Sequence, residues 1–320
     1  MQILRSVPTA ASSPVALTIG NFDGVHLGHQ AMLAKLRAAA SARGLPACVM
    51  TFEPHPREFF APDQAPVRLT TMREKLELLA SHGVERVHVC CFNFALAQVT
   101  AKDFIDRILV RGLGVRWLQV GDDFRFGARR AGDIGMLKAD APHHGYEVEA
   151  MATVVLDGER VSSTAVRDAL AAGNMAKAAR LLGRPYSISG RVVRGDQLGR
   201  ELGFPTANVQ MKHNRPPLTG IFAVEFVRGS GAPLQGVASL GVRPTVKVRG
   251  AAPVLEVYVF DFKYEIYGEH VRVDFLHKFR DEARYADLET LKQEIAHDVV
   301  NARNFFAQRA GAVAGARRGI

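Results

Sequence analysis

Two histidines lie three residues apart where an apolar run gives way to a helical pattern. The run Val15–Ile19 ends at Gly20, and His26 and His29 flank Gly28 where the helix should begin. Backbone N–H groups at a helix N-terminus favour phosphate, and imidazole N–H groups beside them would add donors that follow developing charge. Gly28 would let a phosphate approach the backbone closely. The segment therefore predicts a phosphate-binding site at a strand-to-helix turn.

A second candidate phosphate-binding segment, Ser-Ser-Thr-Ala-Val-Arg, occupies residues 162–167. Ser163 or Thr164 could cap the next helix, and Arg167 falls one turn along, within reach of a phosphate at the same end. Taken alone, an ordinary N-cap with a solvated arginine is the commoner explanation, because serine and threonine caps are frequent. The sequence contains no Gly-x-x-x-x-Gly-Lys-Ser/Thr loop, which argues against a kinase of that class in the first half.

Strand and helix patterns alternate through the first half of the chain. Strands are predicted at residues 15–19, 46–52, 86–92 and 115–120, and helices at 28–43, at 71–82 and from Thr100 onward. This alternation predicts a parallel sheet with helices on both faces. In such a sheet, ligands bind at the carboxyl ends of the strands. The loops that begin at Gly20, Glu53, Asn93 and Gly121 follow these ends, and we expect them to share a site.

The pattern changes after two helical stretches, 163–172 and 174–182, which end at Gly183. Residues 186–276 show short strands, turns and alternating apolar residues, which predict a small antiparallel β-barrel. The chain then returns to a helix at about 286–309, followed by a basic Gly/Ala tail to residue 320. The expected domains are therefore 1–183 and 184–320, and a length of 320 residues suits two domains.

Composition limits the classes of partner. The net charge of +9 suits anionic ligands, but the basic residues are scattered and form no aromatic-plus-basic platform, so we expect phosphorylated small molecules and no nucleic acid. No apolar run approaches the roughly 20 residues that span a bilayer, and the N-terminus lacks a signal-peptide pattern. These features predict a cytoplasmic protein with no membrane partner, and they leave self-association open. Cys48, Cys90 and Cys91 fall in apolar segments and are expected to be buried, reduced thiols.

The first-half motifs together resemble the HxGH nucleotidyltransferases, and more narrowly the adenylyltransferase module of the prokaryotic bifunctional riboflavin kinase/FAD synthetases. The matching segments are residues 20–29, 51–56, 92–93, 121–127 and 162–167. The resemblance implies a Rossmann-like α/β domain in which His26, His29 and Arg167 act on ATP phosphates. It further implies nucleotide contacts from Gly20, Asn21, Phe22, Asp23, Gly28, Ser163 and Thr164, and flavin contacts from Asn93, Asp123 and Phe124.

The residue types of this first site suit adenylyl transfer to FMN. The nucleophile in that reaction is a phosphate oxygen, which is already ionised at neutral pH, so no general base is required. The reaction instead needs reactants held in position and charge neutralised on phosphorus and on the departing pyrophosphate. Hydrogen-bond donors and cations, which these motifs supply, meet that need.

The second half carries Gly-Arg-Glu-Leu-Gly-Phe-Pro-Thr-Ala-Asn at residues 199–208, which taken alone is a Gly/Pro turn entering a strand. Together with residues 220–224, 241–245, 255–258 and 267–282, in that order, it resembles the riboflavin kinase module of the same family. The resemblance implies that Thr206 and Asn208 hold Mg²⁺, that Gly203 and Pro205 contact the nucleotide and that Arg243 contacts the flavin. Glu256 would be the general base for a ribityl hydroxyl. Its strand face is mixed, however, and a glutamate on such a face is usually solvated.

The resemblance spans nearly the whole chain and implies a bifunctional enzyme. Riboflavin would be phosphorylated to FMN in the barrel, and FMN would be adenylylated to FAD in the α/β domain. ATP and Mg²⁺ would be used in both steps, with FMN and FAD as product and substrate and not as redox prosthetic groups. The alternative is an FMN adenylyltransferase with one activity, in which the barrel serves structure or flavin capture.

Overall fold

The computed structural model describes residues 1–195, 198–213, 215–242 and 253–318. The chain forms two compact units, the first comprising Met1–Pro66 and Met72–Ser163 and the second Val67–Thr71 and Thr164–Ile320. The two helices between Ser163 and Gly183 are thus grouped with the second unit. A domain boundary at Gly183 remains a prediction.

The first unit contains a parallel sheet and two small antiparallel strand pairs. Its strands are β1 (Gln2–Leu4), β2 (Val15–Ile19), β3 (Ala47–Glu53), β4 (Arg86–Cys91), β5 (Val115–Gly121), β6 (Arg125–Phe126), β7 (Gly132–Asp133), β8 (Glu147–Met151), β9 (Val155–Leu156) and β10 (Glu159–Arg160). The sheet order is β1-β4-β3-β2-β5-β8 with every pair parallel, while β6 pairs with β7 and β9 with β10.

Helices cover both faces of this sheet, as predicted. They are α1 (Leu27–Arg43), α2 (Pro56–Phe60), α3 (Met72–Ser81), α4 (Phe94–Ala97), α5 (Ala101–Asp103), a π-helical continuation (Phe104–Gly112), α6 (Ile134–His144) and the 3₁₀ turns Pro62–Gln64 and Ala128–Arg130. Leu17 of β2 packs in one core with Ile105, whereas its neighbour Ala16 packs in the other core with Leu36 of α1. Alternate residues of one strand therefore enter different cores, which is why the strand sequences are apolar throughout.

The second unit is built on a closed barrel. Its strands are β11 (Tyr186–Val193), β12 (Ala207–Met211), β13 (Gly220–Arg228), β14 (Leu234–Val242), β15 (Pro253–Val259) and β16 (His270–Arg280), and its helices are α7 (Ser163–Ala171), α8 (Met175–Leu182), α9 (Leu198–Glu201) and α10 (Leu288–Arg318). The strands close in the order β11-β12-β15-β14-β13-β16, and every pair is antiparallel. The predicted barrel with a C-terminal helix is confirmed.

Helix α10 covers part of the outer face of the barrel. Phe260, Ala302 and Phe306 share a buried cluster with Ala223 and Val237. This explains why Phe260 is buried although it lies on the same mixed face as Glu256. The helix also runs past the expected end near residue 309 to Arg318, and no proline interrupts this part of the chain.

A buried ion pair fixes α10 to the last barrel strand. The guanidinium of Arg280 donates to both carboxylate oxygens of Asp298, with Nε–Oδ1 at 3.0 Å, and the Asp298 side chain is 7% exposed. Such two-point geometry sets orientation as well as contact. The ring of Tyr285 lies 5.9 Å from the same guanidinium. The chain just after β16 is thereby held in place.

The cysteine prediction is wrong at one position. Cys48 and Cys90 are buried, and burial raises the pKa of each thiol to about 12. Cys91 is exposed, and it is the last residue of β4, at the carboxyl edge of the sheet. Among the described residues, no helix combines the length and apolar character needed to cross a membrane.

Candidate active sites

The loop between β2 and α1 is held in an unusual backbone conformation. Phe22 and Val25 have φ values of 49° and 41°, in the left-handed region that non-glycine residues seldom adopt. Both side chains are fully buried in the core beneath α1, so packing maintains the strain. Strained backbone of this kind is concentrated at ligand-binding segments.

Polar side chains also hold the carbonyl groups of this loop. The three hydrogen bonds are Thr51 Oγ1 to Asn21 O at 3.3 Å, Gln30 Nε2 to Val25 O at 2.9 Å and Ser163 Oγ to Asp23 O at 2.9 Å. The loop is therefore preorganised before any ligand binds, from Gly20 at the end of β2 to the start of α1. Preorganised groups stabilise developing charge without reorganising during a reaction.

The two motif histidines stack on one another at the start of α1. Their ring centroids are 3.7 Å apart, and His26 is the N-cap, with Nδ1 accepting from the backbone N–H of His29 at 3.3 Å. An Nδ1 that accepts leaves the ring proton of a neutral imidazole on Nε2. A Cβ at Gly28 would come within 3.2 Å of the His26 ring, so the absence of a side chain at Gly28 leaves room for this ring. The structure thus brings both histidines and Gly28 together, as the sequence predicts.

Two polar atoms in this segment are buried with no hydrogen-bond partner among the described residues, His29 Nδ1 and Asn21 Oδ1. Burying a polar atom without a partner costs free energy, so such atoms call for a ligand or solvent. Burial lowers the pKa of His29 well below its usual value, and the nearby His26 and the buried Lys75 lower it further. His29 is therefore a neutral imidazole at neutral pH, suited to donating or accepting one hydrogen bond.

The lowered pKa of His29 predicts a pH-dependent contribution to stability. The folded protein binds a proton at His29 less readily than the unfolded chain does. The contribution of His29 to the free energy of unfolding is therefore fully present above the ordinary histidine pKa of about 6.5, and it is lost as the pH falls below that value. Between about pH 7.5 and about pH 5.5, we expect the Tm of the wild type to fall more than that of His29→Gln. Thermal denaturation followed by circular dichroism measures both changes. Equal falls would contradict the prediction, since His88, whose pKa is also lowered, is present in both proteins.

The topology of the sheet places this loop at a switch point. From β2 the chain continues to β3 and β4 on one side, whereas β5 and β8 lie on the other side. Ligands of open α/β sheets bind where the strand order reverses in this way. The loop after β2 and the turn containing Asp123 therefore border the same crevice. The Asp123 carboxylate accepts from Arg160 Nη2 at 2.9 Å, and Phe124 packs partly buried against Phe126.

An aromatic patch at the same edge of the sheet was not predicted from the sequence. Phe59 and Phe92 pack edge to face, 5.5 Å apart, and Phe60 and Phe94 join them while remaining 66% and 73% exposed. Large exposed aromatic groups in a cluster mark a binding surface. The signal that could have revealed it is the pair Phe59-Phe60, which begins three residues after the Pro-His-Pro segment at residues 54–56. Asn93 lies between Phe92 and Phe94, and its Oδ1 caps α4 by accepting from Leu96 N at 3.0 Å.

The second phosphate segment has a different local geometry from the predicted cap. Helix α7 begins at Ser163, so Ser163 and Thr164 lie in its first turn, and Ser163 donates to the carbonyl of Asp23. Arg167 lies one turn further along, where its Nε donates to Val67 O at 2.5 Å. Ser163 is therefore joined to the histidine loop by a direct hydrogen bond.

The barrel brings two further candidate residues together across neighbouring strands. Asn208 of β12 lies directly opposite Glu256 of β15, and Glu256 lies directly opposite Ser239 of β14. Directly opposed residues of antiparallel strands share a face and have Cβ atoms about 5 Å apart. A row of amide, carboxylate and hydroxyl groups therefore crosses three strands. Strand register, which the sequence alone does not give, creates this grouping.

The loop before β12 lies close to the Asn208 side chain. A Cβ at Gly195 would collide with the Asn208 amide, so the chain passes directly over it. Thr206, one residue before β12, is partly buried.

The same loop also packs against the neighbouring strand, because the ring of Phe204 lies edge to face on Tyr258 of β15, 5.6 Å away. Gly203, with φ of 91°, and Pro205 lie in the intervening turn, whereas Arg243 falls outside the described residues.

Two family models cover most of the chain. The model described as FAD synthetase matches residues 9–165, and the model described as riboflavin kinase matches residues 182–306. The first match includes the histidine loop and ends in the first turn of α7. The second includes all six barrel strands and most of α10.

Curated relatives match the chain over nearly its whole length. A bifunctional riboflavin kinase/FMN adenylyltransferase from Escherichia coli (strain K12) is 47% identical over 309 residues, which cover 96% of this chain and 98% of the relative. The protein of the same description from Pseudomonas fluorescens is 52% identical over 293 residues, covering 92% and 93%.

A solved structure described as a macrolide-efflux protein from Streptococcus pneumoniae superposes with a TM-score of 0.81 at 28% identity. The match covers 95% of this chain and 99% of that one. This likeness supports the fold of the chain, and the name macrolide-efflux protein belongs to the other protein.

Proposed function

Because the chain belongs to the family of bifunctional riboflavin kinase/FMN adenylyltransferases, we propose that it phosphorylates riboflavin to FMN and then adenylylates FMN to FAD. The observation that carries the proposal is the occurrence of both matched modules in one chain with relatives aligned over 96% of its length. ATP is the co-substrate of both steps. FMN and FAD are product and substrate and not redox prosthetic groups.

Adenylyl transfer belongs to the first unit. An ionised phosphate oxygen of FMN forms a bond to the α-phosphorus of ATP, and the bond from that phosphorus to the β-phosphate oxygen breaks to release pyrophosphate. We assign to His26 and His29 the donation of hydrogen bonds to the ATP phosphates, and the cap and stacking contacts that fix their loop support this role. Ser163, which donates to the carbonyl of Asp23, would add a donor beside this loop, and the family resemblance assigns phosphate contacts to Thr164 and Arg167 as well. None of these side chains needs to act as a general base, because the phosphate oxygen of FMN is already ionised.

Phosphoryl transfer belongs to the barrel. A ribityl hydroxyl of riboflavin is neutral, and we assign its proton to the carboxylate of Glu256 as the hydroxyl oxygen attacks the γ-phosphorus of ATP. The bond from that phosphorus to the oxygen bridging to the β-phosphate breaks, and ADP leaves. Hydroxyl and amide oxygens suit Mg²⁺, and the close packing of Gly195 on Asn208 holds that amide beside Glu256. Thr206 and Asn208 would hold the ion, which would neutralise phosphate charge when bound.

The flavin ring system of FMN is assigned to the aromatic patch in the first unit. This patch lies at the carboxyl edge of β3 and β4, near the crevice between β2 and β5. Asn93, Asp123 and Phe124 are proposed contacts on the same edge. Arg243 is the proposed flavin contact of the barrel. We also place both reactions in the cytoplasm, in keeping with their use of ATP.

Replacing the exposed ring of Phe60 is expected to weaken FMN binding. Aromatic contacts contribute about 0.5–1.5 kcal/mol beyond buried area, so Phe60→Ala should raise the KM for FMN about tenfold with little change in kcat. Steady-state FAD formation from supplied FMN measures this. Tyr264→Ala, which removes an exposed ring from the second unit, is the matched control. An unchanged KM for FMN in Phe60→Ala would remove this ring from the flavin site.

One assay tests the proposed function as a whole. Purified protein is incubated with riboflavin, ATP and Mg²⁺, and the flavin products are separated by chromatography. FMN and FAD should both form, and FAD should form with pyrophosphate when FMN replaces riboflavin. Formation of FAD from FMN without any phosphorylation of riboflavin would instead support an adenylyltransferase with one activity. Absence of both products would overturn the proposal.

A further inference from the structure

A second glutamate lies beside the proposed base of the barrel. The hydroxyl of Ser239 donates to Glu282 Oε1 at 2.9 Å, and Ser239 lies directly opposite Glu256. Ser239 thus stands between two carboxylates that are distant in sequence. Glu282 follows β16 by two residues, on the segment that the Arg280 ion pair fixes to α10.

The backbone of β14 is shaped to admit this carboxylate. A Cβ at Gly241 would collide with the Glu282 carboxylate, so the side chain lies directly against the strand at that position. Gly241 is two residues after Ser239 and therefore on the same face of β14. Gly241 leaves room for the Glu282 side chain, and the Ser239 hydroxyl holds its carboxylate over the strand face that carries Glu256.

The charge of Glu282 has no cation beside it in the part of the chain that the structure describes. Its neighbour Asp281 is paired with Lys278, Nζ to Oδ1, at 2.6 Å, whereas Glu282 is exposed and has Ser239 as its described partner. An ionised carboxylate accepts several hydrogen bonds and donates none. Glu282 therefore keeps acceptor positions for a ligand that carries hydroxyl donors.

The geometry points to Glu282 as a substrate-positioning residue of the kinase site, which binds a ribityl hydroxyl next to the one that Glu256 deprotonates. This inference rests on the proposed riboflavin kinase activity. Riboflavin offers several adjacent hydroxyl donors along one chain, and the two carboxylates on either side of Ser239 offer matching acceptors. Ser239 and Gly241 position the carboxylate, and neither needs to touch the substrate.

Binding of two flavins separates this role from a structural one. Lumiflavin carries the ring system without the ribityl chain, so fluorescence titration with riboflavin and with lumiflavin isolates the hydroxyl contacts. Loss of a hydrogen bond to a charged group changes affinity by about 10–100-fold, and we expect Glu282→Ala to weaken riboflavin binding in that range and raise its KM similarly. Lumiflavin binding should be unchanged. Ser239→Ala should act in the same direction with a smaller effect.

Controls make each outcome decisive. Glu265→Gln removes another exposed carboxylate of the second unit and should leave both affinities unchanged. Unchanged riboflavin binding in Glu282→Ala, or an equal loss of lumiflavin binding, would overturn the inference. If the wild type bound riboflavin with a dependence on Glu282 but made no FMN, the kinase proposal would fail and the binding role would stand. If the wild type bound no riboflavin, both would fail.

Discussion

Replacing His29 with alanine is expected to lower kcat for FAD formation by about 10²–10³-fold, the usual cost of losing one preorganised donor to a transition state. FMN formation from riboflavin should be unchanged. The expectation follows from the fixed loop, the stacked His26 ring and the buried Nδ1 of His29 that has no described partner. Separate assays that start from FMN and from riboflavin measure the two rates in one preparation.

The control for this variant is His143→Ala, because His143 is an exposed histidine of the same unit. It should retain both activities. Loss of both activities in a folded His29→Ala protein would count against two independent sites. Retention of full FAD synthesis would show that His29 only packs against Phe22 and His26, whose rings lie 5.0 and 3.7 Å from it.

The two units could be recognised from sequence because their hydrophobic periods differ. Apolar runs predicted β2 to β5 close to their observed bounds, and alternating apolar residues within 186–276 predicted the barrel without the bounds of its strands. The short edge strand β1 and the pair α6 and β8 were missed. β1 has three residues, and Pro142 and polar residues interrupt the later apolar pattern, so neither segment carries a strong period.

Less of the two candidate sites than of the fold could be predicted from the sequence. Side-chain types identified the histidine loop, but not the stacking of its rings or the hydrogen bond from Ser163 to Asp23. That hydrogen bond joins residues 140 positions apart in the sequence, which come together only in the folded chain. The row of Asn208, Glu256 and Ser239 likewise depends on strand register. Local patterns do not specify such register, because it is set by packing and turns.

The two units solve different chemical problems, and their residues differ accordingly. The first site holds the neutral imidazole of His29 beside a strained, buried loop, which suits an ionised phosphate nucleophile. The second presents carboxylates on an outer barrel face, which suits a nucleophile that must lose a proton. Exchange of the Glu256 carboxylate should therefore affect only the second reaction.

Replacing Glu256 with glutamine is expected to lower FMN formation by about 10²–10⁴-fold, the range that a positioned general base contributes. Glutamine keeps the shape of the side chain and can still accept a hydrogen bond, but it cannot take the proton of the ribityl hydroxyl. Because Glu256 lies in a row with Asn208 and Ser239, its loss should act on kcat more than on the KM for ATP. Phosphorylation of riboflavin, followed by chromatography, measures the change.

FAD formation from supplied FMN should persist at the wild-type rate in Glu256→Gln, since that reaction needs no general base. Glu265→Gln, the exposed carboxylate control, should leave both reactions unchanged. A wild-type rate of FMN formation in Glu256→Gln would mean that Glu256 is only a solvated residue on a mixed strand face. The proton would then have to pass to another acceptor beside Ser239, and Glu282 is the carboxylate that the structure places there.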